Sequence, residues 1–502
     1  MSQALDPVPR PLDHLAEYGR DEAPALVLRD RTLSWRDLRT RVGLLAGWLA
    51  SQGFAPGERV ASWAAKGELT CLMPLSAARA GLVHVPVNPL LKRGQTAHIL
   101  GDSGAKLLIG TPARLATLEP GDVTCDVIGD DAVWQMVDSV NCSLPASSAD
   151  PNDLAALLYT SGSTGRPRGV MLSHANMWLG AVSVASYLGL ADDDVTLAVL
   201  PLSFDYGQNQ LLSTWHAGGC VVPLDYLTPR DVIKACARYG VTTLAAVPPL
   251  WLQLVEQDWP RDALTPIRRL TNSGGALTVE LVRNLRALFP TARLFPMYGL
   301  TEAFRSTYLD PALADSHPTS IGKAIPFAEI LVIGDDGDVT APDDEGELVH
   351  CGPLVAQGYW NDDARTAERF KPAPARSRYG GMAVWSGDRV RRDADGLLYF
   401  VGRRDAMIKS AGNRISPQEI EEAALASGLA AEAVALGVPD AKLGQAVHLI
   451  VRGSGDHEGL KAALKRDLPN FMQPQVIRWV DRMPVNPNGK IDRTALQAEA
   501  VQ

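Results

Sequence analysis

The chain has 502 residues, enough for about two to four domains or subdomains. With 46% hydrophobic and 21% charged residues and no long biased tract, it reads as a globular protein rather than a disordered or fibrous one. Its 48 basic residues against 57 acidic ones give a net charge of −9, which argues against a general nucleic-acid binder while leaving room for a local cationic site.

Met1–Arg20 has acids and prolines but no apolar h-region, so it does not read as a signal peptide. No stretch approaches the roughly 18 apolar residues that a membrane span needs. The six cysteines are scattered, with no C-x-x-C and no histidines at metal spacing, so reduced thiols in a cytoplasmic protein are expected.

From Leu33 to about Met297 short apolar strands alternate with helical patterns. Gly81–Val87, Val195–Leu200, Gly219–Leu224, Val241–Val247, Arg268–Thr271 and Ala292–Pro296 read as strands. Pro229–Tyr239 and Val279–Phe289 read as amphipathic helices. This alternation predicts an α/β fold with largely parallel sheets, whose ligand sites lie at the carboxyl ends of the strands. One such end is the apolar run Leu154–Tyr159, followed by Thr160-Ser161-Gly162-Ser163-Thr164-Gly165-Arg166-Pro167-Arg168-Gly169. Glycines let backbone N–H groups approach an anion, and hydroxyls and guanidinium groups add donors, so the loop suits a polyphosphate. It is neither a Walker A loop nor a dinucleotide fingerprint, because Gly162 lacks the Gly-Lys-Ser/Thr partner and position 164 is Thr164.

Beyond Leu309 the texture changes. Glu329–Ile333, Gly346–His350 and Leu397–Val401 are β-like runs divided by Asp-Gly turns, which predicts antiparallel hairpins and a small barrel-like part. Arg376–Gly381 is the most loop-like segment there. Past Arg403 the pattern resets: Pro417–Ser427 and Gly459–Leu468 are helical, whereas Ala433–Val438, Ala446–Val451 and Val476–Val480 are strand-like. A boundary near Arg404-Asp405 therefore separates a large domain, 1–403, from a small α+β one, 404–502, and a short polar hinge implies relative motion.

Four further segments share the order of the phosphate loop: Tyr298-Gly299-Leu300-Thr301-Glu302, Trp385-Ser386-Gly387-Asp388, Gly402-Arg403-Arg404-Asp405 leading into Lys409–Ile415, and Pro487-Asn488-Gly489-Lys490-Ile491-Asp492-Arg493. Together, from about residue 30 to 495, they resemble the adenylate-forming superfamily of acyl-CoA synthetases, peptide-synthetase adenylation domains and luciferases, most of all a stand-alone bacterial AMP-forming acyl-CoA ligase. The resemblance implies that a carboxylic acid attacks the α-phosphate of MgATP, releasing pyrophosphate, and that a thiol then displaces AMP. The thiol would be coenzyme A, or else the phosphopantetheine of a separate acyl carrier protein.

The resemblance also implies roles. Thr160, Ser161, Gly162, Ser163, Thr164, Gly165 and Arg168 would hold the β- and γ-phosphates; Arg168 stands where relatives usually have Lys. Tyr298 would lie on adenine, with Gly274, Gly275 and Ala276 on the other side. Thr301 would bond the α-phosphate, and Glu302 would help hold Mg²⁺, although an acid there also suits a helix N-terminus. Asp388 would accept the ribose hydroxyls and Arg403 would reach ribose or phosphate. Lys490 would cross from the small domain to bridge the substrate carboxylate and α-phosphate. Rotation about Asp405 would then withdraw Lys490 and bring Gly412 to the approach of the thiol.

By the same resemblance Phe204 would stand at the gate of the acid pocket, and Asp205, Asn209, Met297, Arg305 and Ser306 would line it. Two readings stay open. Asp205 pairs a substrate ammonium while Arg305 meets a second carboxylate or polar tail, or the two pair with each other. A mixed polar pocket suits a short or functionalised acid more than a long apolar chain.

Overall fold

In the computed structural model, residues 5–161, 167–403, 408–410, 413–440 and 443–501 are described. Gly162, Ser163, Thr164, Gly165, Asp405 and Gly412 therefore lie outside the described residues.

The first alternating stretch makes a six-stranded sheet in the order Asp126–Gly129, Leu107–Gly110, Arg59–Trp63, Val83–Pro86, Leu154–Ser161, Pro167–Ser173. All neighbours are parallel except the last pair, an antiparallel hairpin. The central strands are near-continuous apolar runs, Leu107-Leu-Ile-Gly and Val83-His-Val-Pro, and every residue of both is buried. Parallel strands covered by crossover helices need apolar side chains on both faces.

The second sheet has fourteen strands and changes character along its width. Its parallel half runs Arg293–Tyr298, Arg269–Asn272, Thr243–Ala246, Val195–Ala198, Cys220–Pro223, Pro24–Val27, with Thr32–Ser34 antiparallel at the edge. On the other side of Arg293–Tyr298 the ladder turns antiparallel through Thr307–Tyr308, Ser320–Ala324, Leu398–Arg403, Met382–Arg392, Glu345–Cys351 and Glu329–Ile333. The barrel-like part read from the sequence thus continues the parallel sheet, and Arg293–Tyr298 is the seam between the two.

The C-terminal part carries its own five-stranded sheet, in the order Asn413–Ile415, Ile408–Ser410, Gly444–Gly453, Ala430–Asp440, with Val476–Trp479 also paired to Gly444–Gly453. The helices Pro417–Ala426, His457–Asp467 and Arg493–Val501 accompany it. One apolar cluster there gathers Ile408, Ile420, Leu449 and Leu460; another gathers Val434, Leu436, Ile450, Met483 and Leu496. The chain is thus a large N-terminal α/β unit followed by a small C-terminal α+β unit. Among the described residues no helix is long and apolar enough to cross a membrane.

Candidate active site

Five strands of the large unit lead at their carboxyl ends into residues that the sequence singled out. Leu154–Ser161 leads into the phosphate loop, Val195–Ala198 into Phe204 and Asp205, and Thr243–Ala246 into Val247. Arg269–Asn272 leads into Ser273-Gly274, and Arg293–Tyr298 into Gly299–Glu302. This is the carboxyl-edge geometry that parallel α/β sheets favour for ligands.

Around the phosphate loop the hairpin is tightly registered, with Thr160 opposite Arg168 and Ser161 opposite Pro167. Arg168 leans on Asp362, Nε to Oδ2 3.3 Å. The segment 356–362 braces the hairpin: Met171 N–H donates to Gly358 O, and Trp360 N–H to Gly169 O. The same segment reaches Glu302, because Ala356 N–H donates to Glu302 O and Tyr359 Oη–H donates to Glu302 Oε1 at 2.6 Å. Burial, with Glu302 adding to it, pushes the Tyr359 phenol well above its ordinary pKa, so it stays a donor. The Glu302 carboxylate is thereby oriented beside the hairpin.

The turn carrying Glu302 is costly to form. Thr301–Ala303 is a single 3₁₀ turn, and Phe304 after it has φ +57°, unusual for a bulky residue. Packing compensates. The Phe304 ring fills the space above Gly180 of the buried helix His174–Leu188, where a Cβ would lie 2.1 Å from Phe304 Cδ1. Phe304 is fully buried.

Tyr298 and Asp388 meet from opposite halves of the second sheet. Tyr298 Oη–H donates to Asp388 Oδ2, and Arg403 Nε lies 3.5 Å from Asp388 Oδ1. Asp388 and Arg403 are also ladder partners. Burial, with Asp388 next, raises the Tyr298 phenol far above its ordinary pKa and keeps it a donor. Thr301 Oγ1–H donates to Asp205 Oδ1 at 2.9 Å in a buried setting.

Lys490 enters this space from the small unit. Its turn is built by Asn486: Asn486 N–H donates to Lys490 O, Gly489 N–H to Asn486 O, and the N–H groups of Asn488 and Lys490 to Asn486 Oδ1. Lys490 Nζ lies 4.4 Å from the centre of the Phe204 ring. Its stem crosses Gly274, where a Cβ would sit 2.6 Å from Lys490 Cε. Gly274 also has φ +83°, so glycine serves both conformation and clearance. Burial lowers the Lys490 ammonium pKa, Asp205 opposing; Arg305 and Arg403 lower it further and Glu302 raises it.

The AMP-binding enzyme family profile matches residues 13–360, and the profile of the AMP-binding enzyme C-terminal domain matches residues 419–490. The chain belongs to the AMP-binding enzyme family. The L-proline–[L-prolyl-carrier protein] ligase of Pseudomonas fluorescens is 31% identical to this enzyme, over 97% of this chain and 98% of that one. The feruloyl-CoA synthase of an Amycolatopsis species is also 31% identical, over 91% of this chain and 92% of its own length. The crystal structure of ATP-bound MatB from Rhodopseudomonas palustris matches with a TM-score of 0.87 and 25% identity, covering 98% of this chain and 99% of that chain. The enzyme is an AMP-forming ligase of a carboxylic acid and a thiol.

In this ligase several of the residues read from the sequence as pocket-lining border a tight cavity of mixed polar and apolar lining. Tyr206, Asn209, Gln210, Met297 and Arg305, with an aliphatic wall from Val184, Leu188 and Leu190, line a cavity of ≈ 20 Å³, room for about one water. Arg305 is 1% exposed; its guanidinium lies over the Tyr206 ring at 4.7 Å, donates to Ser273 Oγ at 3.2 Å, and stands 3.9 Å from Asp205. The structure thus brings Asp205 and Arg305 together, as a loose pair. Arg305 Nε and both amide atoms of Asn209 and Gln210 are buried without a hydrogen-bond partner. Ser306, read from the sequence as a pocket residue, does not face the cavity. It is fully buried and hydrogen-bonds His350 Nδ1 at 3.0 Å, because alternate residues of an extended segment point to opposite faces. Phe204 lies beneath Lys490 and not along the cavity wall.

The sequence reading missed Tyr359, which aims Glu302, and Asn88, which touches the Lys490 turn. No local pattern marks either one.

Proposed function

We propose that this ligase activates a short or polar carboxylic acid with MgATP and passes it to coenzyme A, with Lys490 and the Thr160–Arg168 hairpin acting on one triphosphate. The observation that carries this reading is the approach of Lys490 to Phe204, Asp205 and Gly274, although its turn belongs to the other unit.

The residues divide the task by chemistry. The hairpin and Arg168 hold the outer phosphates and the departing pyrophosphate; an Arg keeps the cation and adds a fork. Tyr298 and Gly274–Ala276 sandwich the adenine, and Asp388, already bonded to Tyr298 and Arg403, takes the ribose hydroxyls. Thr301 steadies the α-phosphate. Glu302 fits a magnesium ion, which binds through one or two carboxylates plus substrate phosphates. That ion would supply charge neutralisation on the phosphate oxygens. Lys490 lies between the substrate carboxylate and the α-phosphate and offsets their repulsion, a positioning and electrostatic task of the kind that dominates acyl and phosphoryl transfer. After adenylation, rotation of the small unit about Asp405 withdraws Lys490 and brings the Gly412 loop to the thiol's path.

The orphaned amides of Asn209 and Gln210, with Arg305, favour an acid whose tail carries hydrogen-bonding groups, since each unmatched buried group costs about 1–3 kcal/mol. A pyrophosphate-release screen across acetate, medium- and long-chain fatty acids, aryl acids and amino acids tests this. Preference for a small or polar acid is the expected result, and preference for a long unbranched chain overturns it. The kinship with the proline–carrier ligase favours a second reading, in which the acceptor is a carrier-protein phosphopantetheine. Offering coenzyme A and a phosphopantetheinylated carrier in parallel separates the two.

A further inference from the structure

We infer that Asn88 is the positioning residue that docks the Lys490 turn onto the large unit, and so selects the arrangement in which adenylation runs. The inference rests on Lys490 being the mobile amine of the ligase.

Asn88 follows the strand Val83–Pro86, which lies beside Leu154–Ser161, the strand that leads into the phosphate hairpin. The sheet edge that presents the phosphate loop therefore also presents Asn88. The side chain is 5% exposed and its two ends have separate tasks. Its carbonyl oxygen accepts from Leu90 N–H at 2.9 Å and shapes its own loop. Its Nδ2 donates to Pro487 O and to Asn488 Oδ1, each at 3.0 Å. Both amide protons are thus spent on the residues immediately before Gly489-Lys490. An amide is the side chain that accepts on one side while donating twice on the other.

The rest of the seat is permissive. Val247 and Gly274 leave room for Gly489 and the Lys490 stem. Other polar ties between the units lie away from this turn: Gln418 Nε2 donates to Phe400 O, Ser416 Oγ to Val401 O, and Arg452 stands 3.9 Å from Glu256. Among the described residues, the hydrogen bonds from the large unit to the turn come from Asn88. Two hydrogen bonds are the right strength for a contact that has to form and release. Together they bias the docked arrangement by roughly tenfold or more, without locking it.

Asn88→Asp isolates this task. The aspartate keeps the oxygen that Leu90 N–H needs, but turns a carboxylate toward Pro487 O and Asn488 Oδ1, two acceptors. Two measurements on the full-length enzyme decide the matter. The first needs no substrate: acylation of Lys490 by an amine-reactive ester, read by mass spectrometry, is expected to rise about tenfold in Asn88→Asp with an unchanged melting temperature. The second uses the acid that drives the fastest wild-type exchange of pyrophosphate into ATP. Exchange is expected to fall about tenfold in kcat with the KM for ATP retained, while thioester formation from the supplied acyl-adenylate persists. Equal losses in both half-reactions, or an unchanged Lys490 footprint, would overturn the inference. Lys490→Ala is run alongside. If it retains exchange, the reading of the site fails; if it loses exchange while Asn88→Asp does not, only the role of Asn88 fails.

Discussion

The Leu154–Ser173 hairpin and the Lys490 turn face the same space but are held in different ways. The two strands of the hairpin, Leu154–Ser161 and Pro167–Ser173, are part of a six-stranded sheet, registered residue by residue and braced by the 356–362 segment. The Lys490 turn is shaped internally by Asn486 and meets the large unit through Asn88 and the clearance over Gly274. Ladder hydrogen bonds in a buried sheet give a rigid platform, whereas a few polar contacts at an interface give a reversible one. A two-step ligase needs both: a fixed hold on phosphate and a cation that can leave.

Changes on the mobile side are expected to separate the half-reactions; changes on the fixed side are expected to weaken phosphate handling itself. The largest effect is expected from Lys490→Ala. Acid-dependent exchange of labelled pyrophosphate into ATP should fall by about 10²–10³-fold, with thioester formation from supplied adenylate largely kept. Equal loss of both would erase the distinction between the two regions. Glu302→Gln keeps the Tyr359 hydrogen bond but removes the charge, so exchange should fall by about 10²-fold and be partly recovered by raising Mg²⁺ in a titration. Gly274→Ala places a methyl against the Lys490 stem in a backbone conformation alanine resists, and should slow exchange by about tenfold or more while sparing the second half-reaction.

A separate effect, on stability rather than on either half-reaction, belongs to the fixed side alone. His84 and His350 are buried, and burial holds each down to about 3, below the ordinary histidine value. The unfolded chain binds protons at these residues below about pH 6.5 while the folded chain does not, so stability is present above that pH and drains away as pH falls toward 3. The slope is on the order of 1.4 kcal/mol per pH unit for each histidine. Urea melts between pH 7 and 4.5 should show this slope reduced in His350→Gln.

Much of this arrangement was legible before any coordinates. The glycine-hydroxyl hairpin announces itself because its chemistry is packed into ten consecutive residues, and Tyr298–Glu302 follows a readable strand. The strand–helix alternation likewise gave the parallel sheets. What escaped the reading are contacts between residues far apart in the chain. Asn88 meets Asn488 across 400 positions, Tyr359 meets Glu302 across 57, and Thr301 meets Asp205 across 96. Nothing local in Val87-Asn88-Pro89 says that its amide protons face another unit. Ser306 was misplaced for a related reason. Its pairing with His350 depends on the seam where the parallel sheet turns antiparallel, and the sequence shows the two halves but not their junction.

The central claim is that a carboxylate attacks the α-phosphorus of ATP at the meeting point of these two regions. Its most direct test is turnover with the preferred acid labelled by ¹⁸O in the carboxylate, followed by mass spectrometry of the products. The account predicts one labelled oxygen in AMP and none in pyrophosphate, because the acid oxygen that bonds phosphorus stays with it when the thiol takes the acyl group. Label in pyrophosphate or inorganic phosphate, with AMP unlabelled, would contradict it.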